Sequence, residues 1–208
     1  MEQRRSQKVK KPFYKRVWFW ILIIIVVIGV GSQMGGSKSS TSSSNTNSSN
    51  KLTKANFDAI NLGESTGSSL EDVEKSFGKK PDSTSTETIQ NVKSDMNTWN
   101  NVAGGDITSN VVIGFSNGHA ISKNITGLKV DRSKKISLEQ FNTISNGTSK
   151  ADIEKQLGKP NGYNDTSISG YSADIWEYTS GVKGDAGANF NITFTNDVVS
   201  GKTQTNMK

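Results

Sequence analysis

The 208-residue chain reads as an α+β protein in which one unit is written twice, preceded by one transmembrane helix and a disordered linker. Three observations predict that class. The phrase "SLEDVEKSFGKKPD" at residues 69–82 returns as "SKADIEKQLGKPNG" at 149–162. After each copy the apolar residues change from helical spacing to strict alternation, the period of strands. Ahead of both copies stands "VWFWILIIIVVIGVG", residues 17–31, fifteen positions without a charge.

Residues 1–16 form a basic tail. Seven of the chain's 25 lysines and arginines lie there: Arg4, Arg5, Lys8, Lys10, Lys11, Lys15 and Arg16. Setting these and the one acid Glu2 aside leaves 18 bases against 18 acids, so the formal charge of +6 belongs to the tail and the remainder is neutral. A neutral body gives a nucleic-acid backbone nothing to bind, and none is expected as a partner.

The apolar run 17–31 covers roughly 22 Å as a helix, against about 30 Å of bilayer core. Two readings fit it. In the first it is an uncleaved anchor, with Lys15 and Arg16 snorkelling into the cytoplasm and Trp18 and Trp20 at the interface. In the second it is the apolar core of a signal peptide cleaved near Gly29 and Gly31, which releases the protein. Both place the chain from residue 51 onward outside the cell. Residues 32–50, "SQMGGSKSSTSSSNTNSSN", lack the apolar content to order themselves and read as a flexible linker spanning on the order of 25 Å.

The first repeat is assigned to 51–130 and the second to 131–208. Thr53 and Ser137 open first helices carrying Phe57 with Ile60 and Phe141 with Ile144, and Gln140 completes a capping box with Ser137. Gly63 and Gly147 read as helix stops. Ser69 with Asp72 and Ser149 with Asp152 open second helices, which Gly78 with Pro81 and Gly158 with Pro160 end. Strands follow: less defined ones near 84–92 and 163–170, then "MNTWNN" and "DIWEYTS", aligned at Trp99 and Trp176, then "NVVIGFSNGHAISKN" and "NFNITFTNDVVSGKT". Asn117-Gly118 and Asn196-Asp197 occupy two-residue hairpin turns. Each unit is therefore two helices and an antiparallel sheet with a polar face, and two units side by side give a wider sheet.

The chain contains no cysteine and one histidine, His119. That excludes a disulfide scaffold, a thiol nucleophile and any cysteine-histidine or two-histidine metal site. No phosphate-binding loop is present, and the acidic residues at helix starts are explained by the helix dipole. No cofactor and no catalytic residue are assigned. Two kinds of candidate interaction residue remain. Asp106 in "NVAGGDI" and Asp185 in "GVKGDAG" occupy corresponding Gly-Asp loops, which also suit a plain turn. Trp99, Trp176 and Tyr178 form an aromatic hot spot if their face of the sheet is open, or pack under the helices if it is the core face.

The paired phenylalanines, Gly63 and Gly147, "GKKP" and "GKP", Trp99 and the "WEY" of 176–178, and the "FSNG" and "FTND" hairpins together resemble the superfamily of the secreted beta-lactamase inhibitor protein. The resemblance covers residues 51–208 and is similar in plan to membrane-tethered surface proteins of low-GC Gram-positive bacteria. It implies a helix-loop-helix and antiparallel-sheet unit in tandem. It also implies target binding through a hairpin aspartate, here Asp106 or Asp185, and through the concave sheet face. The superfamily also includes the outer-membrane assembly lipoprotein SmpA or OmlA, which implies an envelope-integrity role as the alternative. On that face Asn189, Asn191, Thr193 and Thr195 stand where the inhibitor has aromatic residues. The expectation is an anchored, non-catalytic module whose partners are the cell membrane, through the N-terminal helix, and an envelope protein or polymer.

Overall fold

Pairing between strands, rather than a division into two units, organises the chain. In the computed structural model, which describes residues 52–89 and 92–208, eight strands run in sequence order through one antiparallel sheet. They are β1 (Ser83–Ile89), β2 (Val92–Asn100), β3 (Gly105–Ser116), β4 (His119–Leu128), β5 (Gly162–Ile168), β6 (Tyr171–Tyr178), β7 (Gly184–Thr195) and β8 (Val198–Met207). The helices are short: α1 (Lys54–Asp58), α2 (Leu70–Phe77), α3 (Leu138–Thr143) and α4 (Lys150–Leu157).

This corrects the expected fold class. In place of tandem α+β units the chain forms one continuous eight-stranded sheet, in which β4 and β5 pair across the expected boundary through Ser122 with Thr166, Lys123 with Asp165, Asn124 with Asn164 and Ile125 with Tyr163. An unpaired β4 edge and an unpaired β5 edge would each expose a row of backbone donors and acceptors; joining them satisfies both. With helices of 5 to 8 residues and strands of 7 to 12, the domain is a sheet with helical cover and not a balanced α+β tandem. Among the described residues no helix is long and apolar enough to cross a membrane. The transmembrane helix expected at 17–31, the basic tail and the linker lie outside the described residues.

The helix starts follow from their caps. Ser69 and Ser137 form complete capping boxes with Asp72 and Gln140, while Thr53 and Ser149 accept from the amides of Asn56 and Asp152. α2 and α4 end at Gly78 and Gly158, both at positive φ (71° and 75°). α1 and α3 end differently from the expectation. They stop at Ala59 and Ile144, before Gly63 and Gly147, and the amides of Ile60 and Ile144 close onto the carbonyls of Phe57 and Phe141.

A lysine from the sheet meets the end of each of these helices. Lys123 Nζ, from β4, donates to the carbonyls of Phe57, Asp58 and Ile60 at 3.2, 3.3 and 2.9 Å. Lys202 Nζ, from β8, donates to Phe141, Asn142 and Ile144 at 2.7, 3.0 and 2.8 Å. Each ammonium also lies over the phenylalanine ring of its helix, at 4.9 and 4.7 Å from the centroid. The two lysines terminate the helices where a glycine cap would otherwise act.

All four helices bury their apolar residues against one face of the sheet. The first core gathers Leu52, Phe57, Val73, Phe77, Trp99, Val111, Ile113 and Phe115; the second gathers Phe141, Ile153, Leu157, Trp176, Tyr178, Phe190, Ile192 and Phe194. Tyr163 packs against both cores. The hairpins turn where expected, with Asn117 and Gly118 at φ 50° and 82° and Asn196 and Asp197 at 52° and 62°, so both central residues take the left-handed conformation of the tightest hairpin turns.

Candidate functional site

The strand register decides which residues face which way. Trp99 lies opposite Val111, and Tyr178 opposite Phe190, on the helix-covered face. Both are fully buried, and Trp176 is 7% exposed. Phe77 meets Trp99 edge-on at 5.2 Å, Phe190 stacks on Tyr178 at 4.5 Å, and Phe194 and Tyr163 flank Trp176 at 4.9 and 5.8 Å. Trp99, Trp176 and Tyr178 are therefore core residues, and the open hot spot among the two sequence readings does not form.

The alignment of Trp99 with Trp176 is also corrected. Trp99 Nε1 donates to the Lys79 carbonyl just after α2, and Tyr178 Oη donates to the Gly158 carbonyl just after α4. Tyr178 is thus the counterpart of Trp99, and Asn97 is the counterpart of Trp176. Identity of residue type in "W" misled the alignment by one same-face position. The hairpin asparagines Asn117 and Asn196 set the register the structure obeys.

The two aspartates lie at the same end of the sheet, in corresponding excursions where the β3/β4 and β7/β8 registers shift after Gly105 and Gly184. Asp106 Oδ1 accepts from the amide and hydroxyl of Thr108 at 2.8 and 2.7 Å, which holds its carboxyl below the usual range. Asp185 pairs with Lys208 at 2.5 Å. Both are exposed, and each has its local partner; beside Asp106, Ile107 is 96% exposed. The structure does not bring the aspartates together with the three aromatic residues, which lie in the core.

The other face of the sheet takes no helix among the described residues. In register across β2 to β8 it presents Ser94, Met96, Gly114, Ser122, Asn124, Asn164, Thr166, Ile175, Glu177, Asn191, Thr193 and Thr203. Its short side chains pack on one another: a Cβ at Gly114 would stand 2.5 Å from Ser122 Oγ, 2.9 Å from Met96 Sδ and 3.0 Å from Ser94 Oγ. Ser94, Met96, Ser122, Asn124, Asn164, Thr166 and Ile175 are buried, so this face is close-packed, rich in amides and hydroxyls and almost uncharged. Charge is concentrated on the helix face at the seam, where Lys123 meets Asp165 at 3.7 Å and Lys150 pairs with Asp174 and, at 2.7 Å, with Asp197. Burial, with Asp174 alongside, raises Asp165 to about 6.

Sequence reasoning missed Lys123, Lys202 and Asn161. The lysines were findable, since each lies six residues after its hairpin asparagine. Asn161 gave no such signal, because its role comes from tertiary contacts. Its amide nitrogen donates to the Leu128 carbonyl and Ser180 Oγ, and its Oδ1 accepts from Arg132 and from the amides of Thr179 and Ser180. Among the described residues no group of three His, Cys, Asp or Glu is placed to hold a metal ion.

An antiparallel sheet covered on one face by paired helix-loop-helix elements, repeated along the chain, defines the class of the beta-lactamase-inhibitor-like fold. The chain belongs to the DUF3862 family, a domain of unknown function with a solved structure, whose model matches residues 49–207. Among solved structures it is similar to a Streptococcus mutans protein described as a "putative beta-lactamase inhibitor protein", at 21% identity and a TM-score of 0.58, covering 74% of this chain and 96% of that one. At that identity the likeness concerns the fold. No curated protein matches the chain.

Proposed function

We propose that the protein is a non-catalytic binding module of the cell envelope, engaging a partner through the helix-free face of its sheet. The observation that carries this reading is the separation of the two faces: among the described residues every helix and the large aromatic core residues lie on one side, while the other carries mostly short side chains, with amides or hydroxyls on β2, β4, β5, β7 and β8. Among the described residues no helix packs on that side. Such a face suits recognition through many hydrogen bonds better than chemistry, for which a nucleophile, base and oxyanion donor would have to converge.

The uncharged stretch 17–31, behind seven bases, supports residence at the cytoplasmic membrane with the sheet outside, and the Ser/Asn-rich segment 32–50 supports a tether between them. Asp106 and Asp185 are rim positions in this reading, and Ile107 offers an exposed apolar contact beside the first.

The test is affinity capture from crosslinked native cells with two charge-insertion pairs. Thr166→Arg with Thr193→Arg on the helix-free face should abolish recovery of the partner, while Glu74→Arg with Glu154→Arg on the helices should leave it intact. Equal recovery by both pairs, or a reproducible partner lost only with the helix pair, overturns the reading.

A further inference from the structure

On the helix-free face the one carboxylate near the middle of the sheet is Glu177. It sits opposite Gly162 on β5 and Asn191 on β7. Its side chain lies down over the glycine: a Cβ there would fall 2.9 Å from Glu177 Oε2 and 3.0 Å from the Ile125 carbonyl oxygen. Gly162 therefore provides the space that lets the carboxylate rest against the sheet. Burial raises its pKa, with no second cause, and among the described residues no donor or cation meets it.

Asn164 stands two residues along β5 on the same face, 3% exposed, and its Oδ1 is buried without a hydrogen-bond partner. Asn164 pairs with Ile175 while Glu177 pairs with Gly162, so the two side chains are diagonal neighbours, within reach of one multi-donor group. Both free atoms are acceptors. No lysine or arginine falls on this face in the register of the eight strands, whereas Lys123, Lys150 and Lys202 all serve the opposite face. A buried acceptor and an unpaired carboxylate each destabilise the isolated face, and both penalties are removed by the same cation.

We propose that Glu177 and Asn164 receive a lysine or arginine side chain of a protein partner, at the centre of the face assigned above to binding. The proposal rests on that binding role and adds the chemistry of the partner. A polypeptide is favoured over a glycan because the aromatic stacking surfaces that sugars use are absent from the middle of the face, where the exposed Tyr171 lies away at the β5–β6 hairpin. A guanidinium, planar and carrying five donors, can bridge a carboxylate and an amide oxygen together.

Full-length protein in detergent micelles can be titrated with a Gly/Ser/Thr dodecapeptide bearing one central arginine, and with the same peptide bearing glutamine or glutamate there, followed by NMR. The arginine peptide should bind at least tenfold more tightly than the glutamine peptide and shift the signals of Gly162, Asn164 and Glu177. The preference should vanish in Glu177→Gln and invert toward the glutamate peptide in Glu177→Lys. Equal binding of the three peptides at this face overturns the cation site and leaves the binding face standing; absence of binding, or shifts confined to the helix face, overturns both. If either variant fails to fold, the three-peptide comparison on the native protein still decides.

Discussion

Lys123 and Lys202 each place an ammonium among three backbone carbonyls and over one phenylalanine ring, so they act as covalently supplied helix caps. Removing the ammonium while keeping the stem should leave the carbonyls unmet. Lys123→Met, at the more buried site, should lower unfolding free energy by about 2–4 kcal/mol and Lys202→Met by about 1–2 kcal/mol, measured by urea denaturation. Asn161→Ala should be comparably harmful, because its side chain satisfies five separate groups. Asp165 gives a pH signature. Its folded pKa, about 6, is above the unfolded value, so the folded state binds the proton more tightly. That contribution to stability is complete below about pH 4 and is lost as pH rises through 6. Asp174, Lys123, Lys150 and Lys54 face the same group and set its position. Asp165→Asn should remove this component, flattening the stability profile between pH 4 and 6 by on the order of 1–2 kcal/mol.

Among the elements, α2, α4 and the hairpin turns were legible because their determinants are local: Ser-x-x-Asp openings, glycine stops and paired left-handed turn residues act within a few positions. The ends of α1 and α3 were not, since the residue that terminates each helix is some sixty positions away on a strand. The same holds for the seam. Nothing in the sequence of β4 or β5 specifies that they pair; the reason is that each would otherwise be an exposed edge. With Tyr163 packed into both cores and Lys54 over its ring at 3.8 Å, the halves should unfold together. Hydrogen exchange should therefore give β4 and β5 amides the protection of the slowest amides in β3 and β7. Faster exchange of β5 to β8 as a block would show that the second half opens alone.

At the scale of the molecule, the helix side holds the cores and the clustered charges, and the other side is mostly polar, nearly uncharged and, among the described residues, without helical cover. The aromatic residues that looked most suited to binding in the sequence are the ones the structure encloses, because Trp99 and Tyr178 recur at the same point of each half to close the end of a helix. Small polar residues line the face proposed for binding; Asn191 and Thr193 were legible there from the alternation of β7, whereas the others take their place only through strand pairing. The most direct measurement places a photoreactive amino acid at Thr166 or Asn191 on the helix-free face, or at Glu74 on α2, in full-length protein expressed in native cells. The account predicts that Thr166 and Asn191 crosslink to the same envelope protein, at a segment containing lysine or arginine, and that Glu74 does not. Crosslinks from Glu74 alone, or none from the sheet positions, would contradict it.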